Sequence, residues 1–230
     1  MDFIDYHTTV IMNDDFENGF TTIEGQLHSY AEDESRVEIG ELTAFYLNVD
    51  YWWQRGEEIW DLFDQHDDLP VYYRALFEED TFVFDENVIH SNILIINNLQ
   101  IKPHFRVHKL GLAALYRTIQ VCGRECSIIA IRPFPLHLTH SGKNDPKWFA
   151  DMDMGRYSTD LPTALTKLKN YYAQLGFVSL AGTELMCLNR DLRQPTLKDI
   201  GYDGDVVMDL VNTWSLNHQE NPNRHNEVYQ

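Results

Sequence analysis

The stretch that most constrains this chain runs over residues 92–120. It opens on an unbroken apolar run, Ile93-Leu94-Ile95-Ile96, which reads as a buried strand. A linker with Pro103 and Arg106 follows, and at Lys109-Leu110-Gly111 the chain turns into a helix of about three turns. Leu112, Leu115, Tyr116 and Ile119 recur at three- and four-residue spacing, which gives that helix one apolar face. Residues 127–131 (SIIAI) then form a second buried strand. Strand, helix and strand in this order make a parallel pair with a crossover, and such a pair can splay to admit a ligand at its C-terminal ends. A helix start delivered by a strand through a glycine-bearing loop also suits an anion. Its first N–H groups lack partners within the helix, and the helix dipole favours negative charge there.

The flanking sequence supplies further elements. Residues 37–49 alternate and are rich in β-formers, so they read as a strand, with Gly40 at a bulge. Residues 51–66 read as one amphipathic helix with Asp50 as its N-cap, broken at Asp67-Asp68-Leu69-Pro70. Leu76-Phe77 falls in a second short helix, and residues 81–88 in a short strand. Residues 160–175 form a helix with Asp160 as N-cap and Gly176 as its stop. Strands at 177–181 and 184–188 join across Gly182-Thr183. The long insertion at 133–160, with Phe134, Trp148, Phe149, Met152 and Met154, is expected to build one wall of an acceptor pocket. The expected organisation is an acidic extension at 1–35, a domain at 36–190, a small element at 191–214 and a mobile polar tail at 215–230.

With 230 residues the chain suits one domain with elaborations. It has no run of eighteen apolar residues and no apolar leader, so neither a membrane partner nor a secretory route is expected. Cys122, Cys126 and Cys187 read as reduced thiols in a cytoplasmic protein. The net charge of −18 is unevenly spread. Residues 1–80 hold 21 acidic side chains against Arg36, Arg55 and Arg74, whereas Lys102, Arg106, Lys109, Arg117, Arg124 and Arg132 face only Glu125. This basic island fits a ligand with several phosphates, although Arg117 and Arg124 read equally well as a solvated helix face. The acidic remainder argues against nucleic acid and leans toward a cationic substrate. Trp52, Trp53 and Trp60 belong either to the core or to a contact surface such as a homodimer interface.

The segment Arg106-Val107-His108-Lys109-Leu110-Gly111-Leu112-Ala113 resembles the acetyl-CoA signature of the GNAT superfamily of N-acetyltransferases, Arg/Gln-x-x-Gly-x-Gly/Ala. Arg106 takes the first position and Gly111 the second glycine, while Lys109 stands where the pattern has its first glycine. Branches of the family that read Arg-Gly-His-Arg-Leu-Gly carry a basic residue there. Tyr172-Ala173-Gln174-Leu175-Gly176-Phe177 is similar to the family's second block, Tyr-x-x-x-Gly-Phe. Order and chemistry agree over roughly residues 37–190.

The resemblance implies an α/β (α+β) fold with a mixed, mostly antiparallel central sheet, a splayed parallel pair and helices on both faces. It implies transfer of an acetyl group from acetyl-CoA, or another acyl-CoA, to an amine of a cationic small molecule or a protein. On that reading the backbone of Val107, His108, Lys109, Leu110, Gly111, Leu112 and Ala113 cradles the pyrophosphate, with Arg106 heading the loop. The pantetheine arm lies along Leu99, Gln100 and Ile101, and an N–H near Leu99 stabilises the thioester oxygen. Tyr172 protonates the leaving thiolate, with the alternative that it is a core aromatic and Tyr171 its rival. A base is also needed, and His90, Asn97, Asn98, His104, His137, His140 and Glu184 all stay open. His137 and His140 lack a third ligand, so no metal is assigned. The competing reading keeps the fold as a catalytically inactive coenzyme-binding or regulatory protein. A nucleotide-binding α/β protein is disfavoured, since neither a Gly-Lys-Ser/Thr loop nor Gly-x-Gly-x-x-Gly occurs.

Overall fold

The apolar run at 93–96 is buried because both of its sides are covered, and most of the chain serves as that cover. The computed structural model describes residues 4–11, 19–78, 81–82, 89–106, 108–138 and 145–219. Strands Ile4–Ile11 (β1), Phe20–Tyr30 (β2) and Arg36–Leu47 (β3) come first. Helices Val49–Arg55 (α1), Ile59–Phe63 (α2) and Pro70–Leu76 (α3) follow, then a ribbon of Phe77–Glu78 (β4) and Thr81–Phe82 (β5). Asn92–Ile101 (β6), Leu110–Cys122 (α4) and Cys126–Ile131 (β7) form the crossover unit. Pro146–Asp151 (α5), Leu161–Ala173 (α6), Val178–Ser179 (β8), Met186–Asn189 (β9) and Gly204–Gln219 (α7) complete the order.

Seven strands form one sheet in the order β1-β2-β3-β6-β7-β9-β8, in which β6–β7 is parallel and the other pairings are antiparallel. This is the mixed, mostly antiparallel α/β sheet expected. Alternation along the central strands divides the core. Ile93, Ile95, Ile128 and Ala130 meet Val49, Trp52, Leu62 and Leu76 of α1–α3. Leu94, Ile96, Ile129 and Ile131 meet Leu112, Leu115 and Ile119 of α4 on the other face. On that face α7 adds Val207 and Val211 against Leu27, Ile39 and Ala114. Helices therefore cover both faces, and among the described residues no helix is long and apolar enough to cross a membrane.

Several elements differ from the sequence reading. The stretch read as an acidic extension adds two strands to the main sheet, β1 and β2, which pair along eight residues. The helix read at 51–66 is two, because Gly56 ends α1 in a left-handed conformation (φ 70°) and turns the chain into α2. Its cap is Asn48, whose side chain accepts from the Tyr51 N–H at 3.0 Å, while Asp50 lies inside the first turn. The bulge read at Gly40 is one residue earlier, since Leu27 pairs with Gly40 and His28 with Glu38, leaving Ile39 as the extra residue. The tail read from 215 is helical through Gln219, and Ser215 is buried against Ser35, Oγ to Oγ 2.6 Å. Thr81–Phe82 is the described part of the strand read at 81–88. Trp52 is buried, whereas Trp53 is 38 % exposed.

What matters for a ligand is where the parallel pair ends. β6 pairs with β7 from Asn92 to Ile96, then runs on to Ile101 against β3 alone among the described residues. Thr43 pairs with Asn98 and Ala44 with Ile96, so Asn97 is a bulge at the point of parting. The cap at α1 gives a direct check. Asn48→Ala should cost about 1 kcal/mol in urea unfolding, and Asp50→Ala should cost less.

Candidate functional site

Among the described residues, one edge of β6 has no strand beside it beyond Ile96. The Lys102 N–H donates to the Ile39 carbonyl at 2.9 Å, so Lys102 faces β3. The Ile101 carbonyl faces the opposite edge, where it accepts from Arg106 Nε at 2.6 Å. By the same alternation the backbone groups of Leu99 face that open edge. A 3-10 turn, Pro103–Phe105, then buries Phe105 against Trp214, ring centroids 5.8 Å apart.

His108 and Lys109 follow with φ of 49° and 60°, two consecutive left-handed residues that are not glycine. Each costs about 1–2 kcal/mol, so surrounding contacts must hold them. One such contact is Lys109 Nζ, which donates to Gln174 Oε1 at 2.6 Å and ties the start of α4 to the end of α6. Lys109 thus adopts the conformation that a glycine at this place would adopt freely.

At the start of α4 the Ala113 N–H donates to the Lys109 carbonyl at 3.0 Å, and the Leu112 N–H points at the Tyr171 hydroxyl. Both side chains are fully buried in the core. Leu112 and Ala113 therefore stand behind the cleft, with their amides engaged within the protein. Leu110 and Gly111 are the α4 residues that line the cleft. Gly111 is required for packing: a Cβ there would lie 2.5 Å from Tyr171 Oη and 3.3 Å from Ile101 Cγ1. Val107 lies outside the described residues.

These parts enclose a cleft of about 520 Å³. Leu99, Gln100 and Ile101 form its floor, and Arg106, His108, Lys109, Leu110 and Gly111 one side. The insertion closes it with Phe134, Leu136, His137, Met154 and Tyr157, so this segment does wall the cleft. Ala164, Lys167, Leu168, Tyr171 and Tyr172 come from α6. In a chain of net charge −18, the described lining holds Arg106, Lys109, Arg156 and Lys167 and no carboxylate.

Of the basic island read from the sequence, only Arg106 and Lys109 reach this space. Lys102 pairs with Glu38 at 3.1 Å, Arg132 binds Glu184, and Arg124 Nε donates to the Gln120 carbonyl on its own helix. Arg156 and Lys167 were missed. Lys167 was accessible in principle, because Ala164, Lys167, Leu168 and Tyr171 fall at three- and four-residue spacing on one face of α6.

Tyr172 lines the cleft with its ring against Tyr171 and Phe177, and burial pushes its hydroxyl up to about 12. Burial raises Tyr171 still further. Among the candidate bases, His137 alone is in the described lining. It is buried, and its Nε2 lies 2.8 Å from the Ser158 carbonyl. A carbonyl only accepts, so Nε2 carries the proton and Nδ1 the lone pair. Glu184 is held by Arg132, His90 and His104 are exposed, and Asn97 is exposed 3.5 Å from Asp68. The Asn98 Oδ1 is buried without a partner among the described residues, and His140 lies outside them.

Compared with known protein families, with curated proteins and with solved structures, the chain finds no match. The site therefore stands on its own geometry, and two substitutions probe that geometry. Gly111→Ala should destabilise by about 1–3 kcal/mol, since its methyl group must displace Tyr171. Tyr171→Phe in the same chain should recover part of that loss in thermal unfolding. Lys109→Gly should be about 1 kcal/mol more stable than Lys109→Ala, because both lose the Gln174 bond and only the glycine relieves the left-handed strain.

Proposed function

We propose that this cleft binds acetyl-CoA and that the protein transfers the acetyl group to an amine, as the resemblance to the GNAT superfamily implies. One observation carries the reading. A cleft lined by cations and by no described carboxylate opens where two parallel strands part and a helix begins. Coenzyme A presents a pyrophosphate, a further phosphate and a long arm. The amides of Leu110 and Gly111, with Lys109 and Lys167, offer donors and charge to the phosphates, while Arg156 is paired with Asp153 at 3.2 Å. The open edge at Leu99 offers backbone hydrogen bonds to the arm and to the oxygen of the thioester.

In the reaction a neutral amine attacks the thioester carbonyl. The C–N bond forms, the C–S bond breaks, and the sulfur leaves as thiolate. His137 Nδ1 is suited to take the proton from the amine, because the Ser158 carbonyl fixes the proton on Nε2. Tyr172 is suited to protonate the thiolate, since a hydroxyl raised to about 12 stays in its acid form throughout the neutral range. The free thiols, two of them buried and raised to about 12, support the cytoplasm as the compartment. A coenzyme-binding protein without turnover is favoured by one detail, Lys109 standing where the family's pattern has its first glycine.

The test pairs calorimetry of coenzyme A with thiol release from acetyl-CoA against a panel of amines. Micromolar binding with thiol release on at least one amine is expected; binding without release across the panel selects the inactive reading, and absence of binding overturns both. Tyr172→Phe and His137→Gln should each lower turnover by roughly a hundredfold while leaving coenzyme affinity within about twofold.

A further inference from the structure

We propose that Arg106 is a positioning residue, a strut that holds the 145–158 part of the insertion as one wall of the cleft, and that it is not a ligand of phosphate. The inference rests on the reading of this cleft as the acyl-CoA site. Its basis is the use of the guanidinium. Nε donates to the Ile101 carbonyl at 2.6 Å, and Nη1 donates to the Met152 carbonyl at 2.7 Å and to the Tyr157 hydroxyl at 3.1 Å. The Tyr157 ring also lies under the guanidinium, 5.6 Å from carbon to centroid. One planar, rigid fork thus joins the last residue of β6 to Met152 and Tyr157, 46 and 51 residues beyond Arg106 along the chain.

The segment depends on such a tie because it has almost no core of its own. Among residues 145–158 Met154 alone is buried, and α5 has no buried residue. Its other described attachment to β6 is again polar: Trp148 Nε1 donates to Gln100 Oε1 at 2.9 Å, one residue away from Ile101. A segment held by a few polar contacts opens locally at low cost, so removing the one side chain that makes two hydrogen bonds and a ring contact to it should release it. Release moves the wall beside Leu99 to Ile101, where an acyl arm would lie. The donors at Leu110, Gly111 and Lys109 belong to α4 and its loop and stay in place.

This separates the strut from a phosphate ligand. Amide hydrogen exchange should be measured on the full chain and on Arg106→Gln, together with affinities for adenosine 3′,5′-bisphosphate, which has phosphates and no arm, and for coenzyme A. The expected result is exchange over 145–158 faster by about tenfold or more, bisphosphate affinity within about threefold, and coenzyme A affinity reduced by about tenfold. Unchanged exchange over that segment overturns the proposal, and so does an equal loss of both ligands. Should Arg106→Gln not fold, Tyr157→Ala removes one partner at the exposed side and must speed exchange over the same residues; no change there also overturns the strut. If the unaltered protein binds neither ligand, the acyl-CoA reading fails, and the exchange result still decides the strut.

Discussion

Two strands share a ladder for a few rungs and then part, and this divergence is what the structure is arranged around. A parallel pair needs a crossover, so α4 has to start close to the end of β6. It also needs cover on both faces, which α1–α3 and the α4, α6 and α7 group supply. Parting exposes backbone groups that a sheet would otherwise pair, and buried groups of that kind need partners. Arg106 meets one of them at Ile101. The bulge at Asn97 bends β6 at the place where β7 stops.

Charge at the site has the opposite sign from charge on the molecule. Acidic residues dominate the sequence, yet the described walls of the cleft carry four cations and no carboxylate. Net charge alone would point to a cationic ligand, but charges separated by more than about a Debye length are largely screened, roughly 8 Å at physiological salt. The local set therefore governs what binds in the cleft, while the acidic surface acts on encounter and solubility. The cations come from three separate parts of the chain: Arg106 and Lys109 from the loop, Arg156 from the insertion and Lys167 from α6.

Legibility in the sequence followed the strength of the local signal. The run at 93–96, the periodic face of α4 and the Asp160 cap, which accepts from Thr163 at 3.0 Å, were readable because each is fixed by neighbours in sequence. β2 was not: Ile23, Gly25 and Leu27 alternate with Thr22, Glu24 and Gln26, and the polar half of that pattern looked like an irregular segment. Gly56 splits a helix whose apolar positions carry on past it. The site was half legible. Leu99 to Ile101 and the loop at Arg106 to Gly111 come together through their own short spacing, whereas Arg156 and Lys167 reach the cleft only through the path of the insertion and the docking of α6. Spacing along a helix does not say which amides the fold itself engages, as it does those of Leu112 and Ala113.

The C-terminal helix gives the molecule an order of completion. Val207 and Val211 close the face formed by Leu27, Ile39 and Ala114, Trp214 rests on Phe105, and Asn212 caps the Glu32 amide at 2.8 Å. Leu27 of β2 and Ile39 of β3 thus wait for residues 204–219 to be synthesised before that side is shielded from water. During translation the loop ahead of α4 would emerge before α7 and remain without its backing until residues 204–219 follow, a period in which a chaperone has an exposed apolar surface to hold.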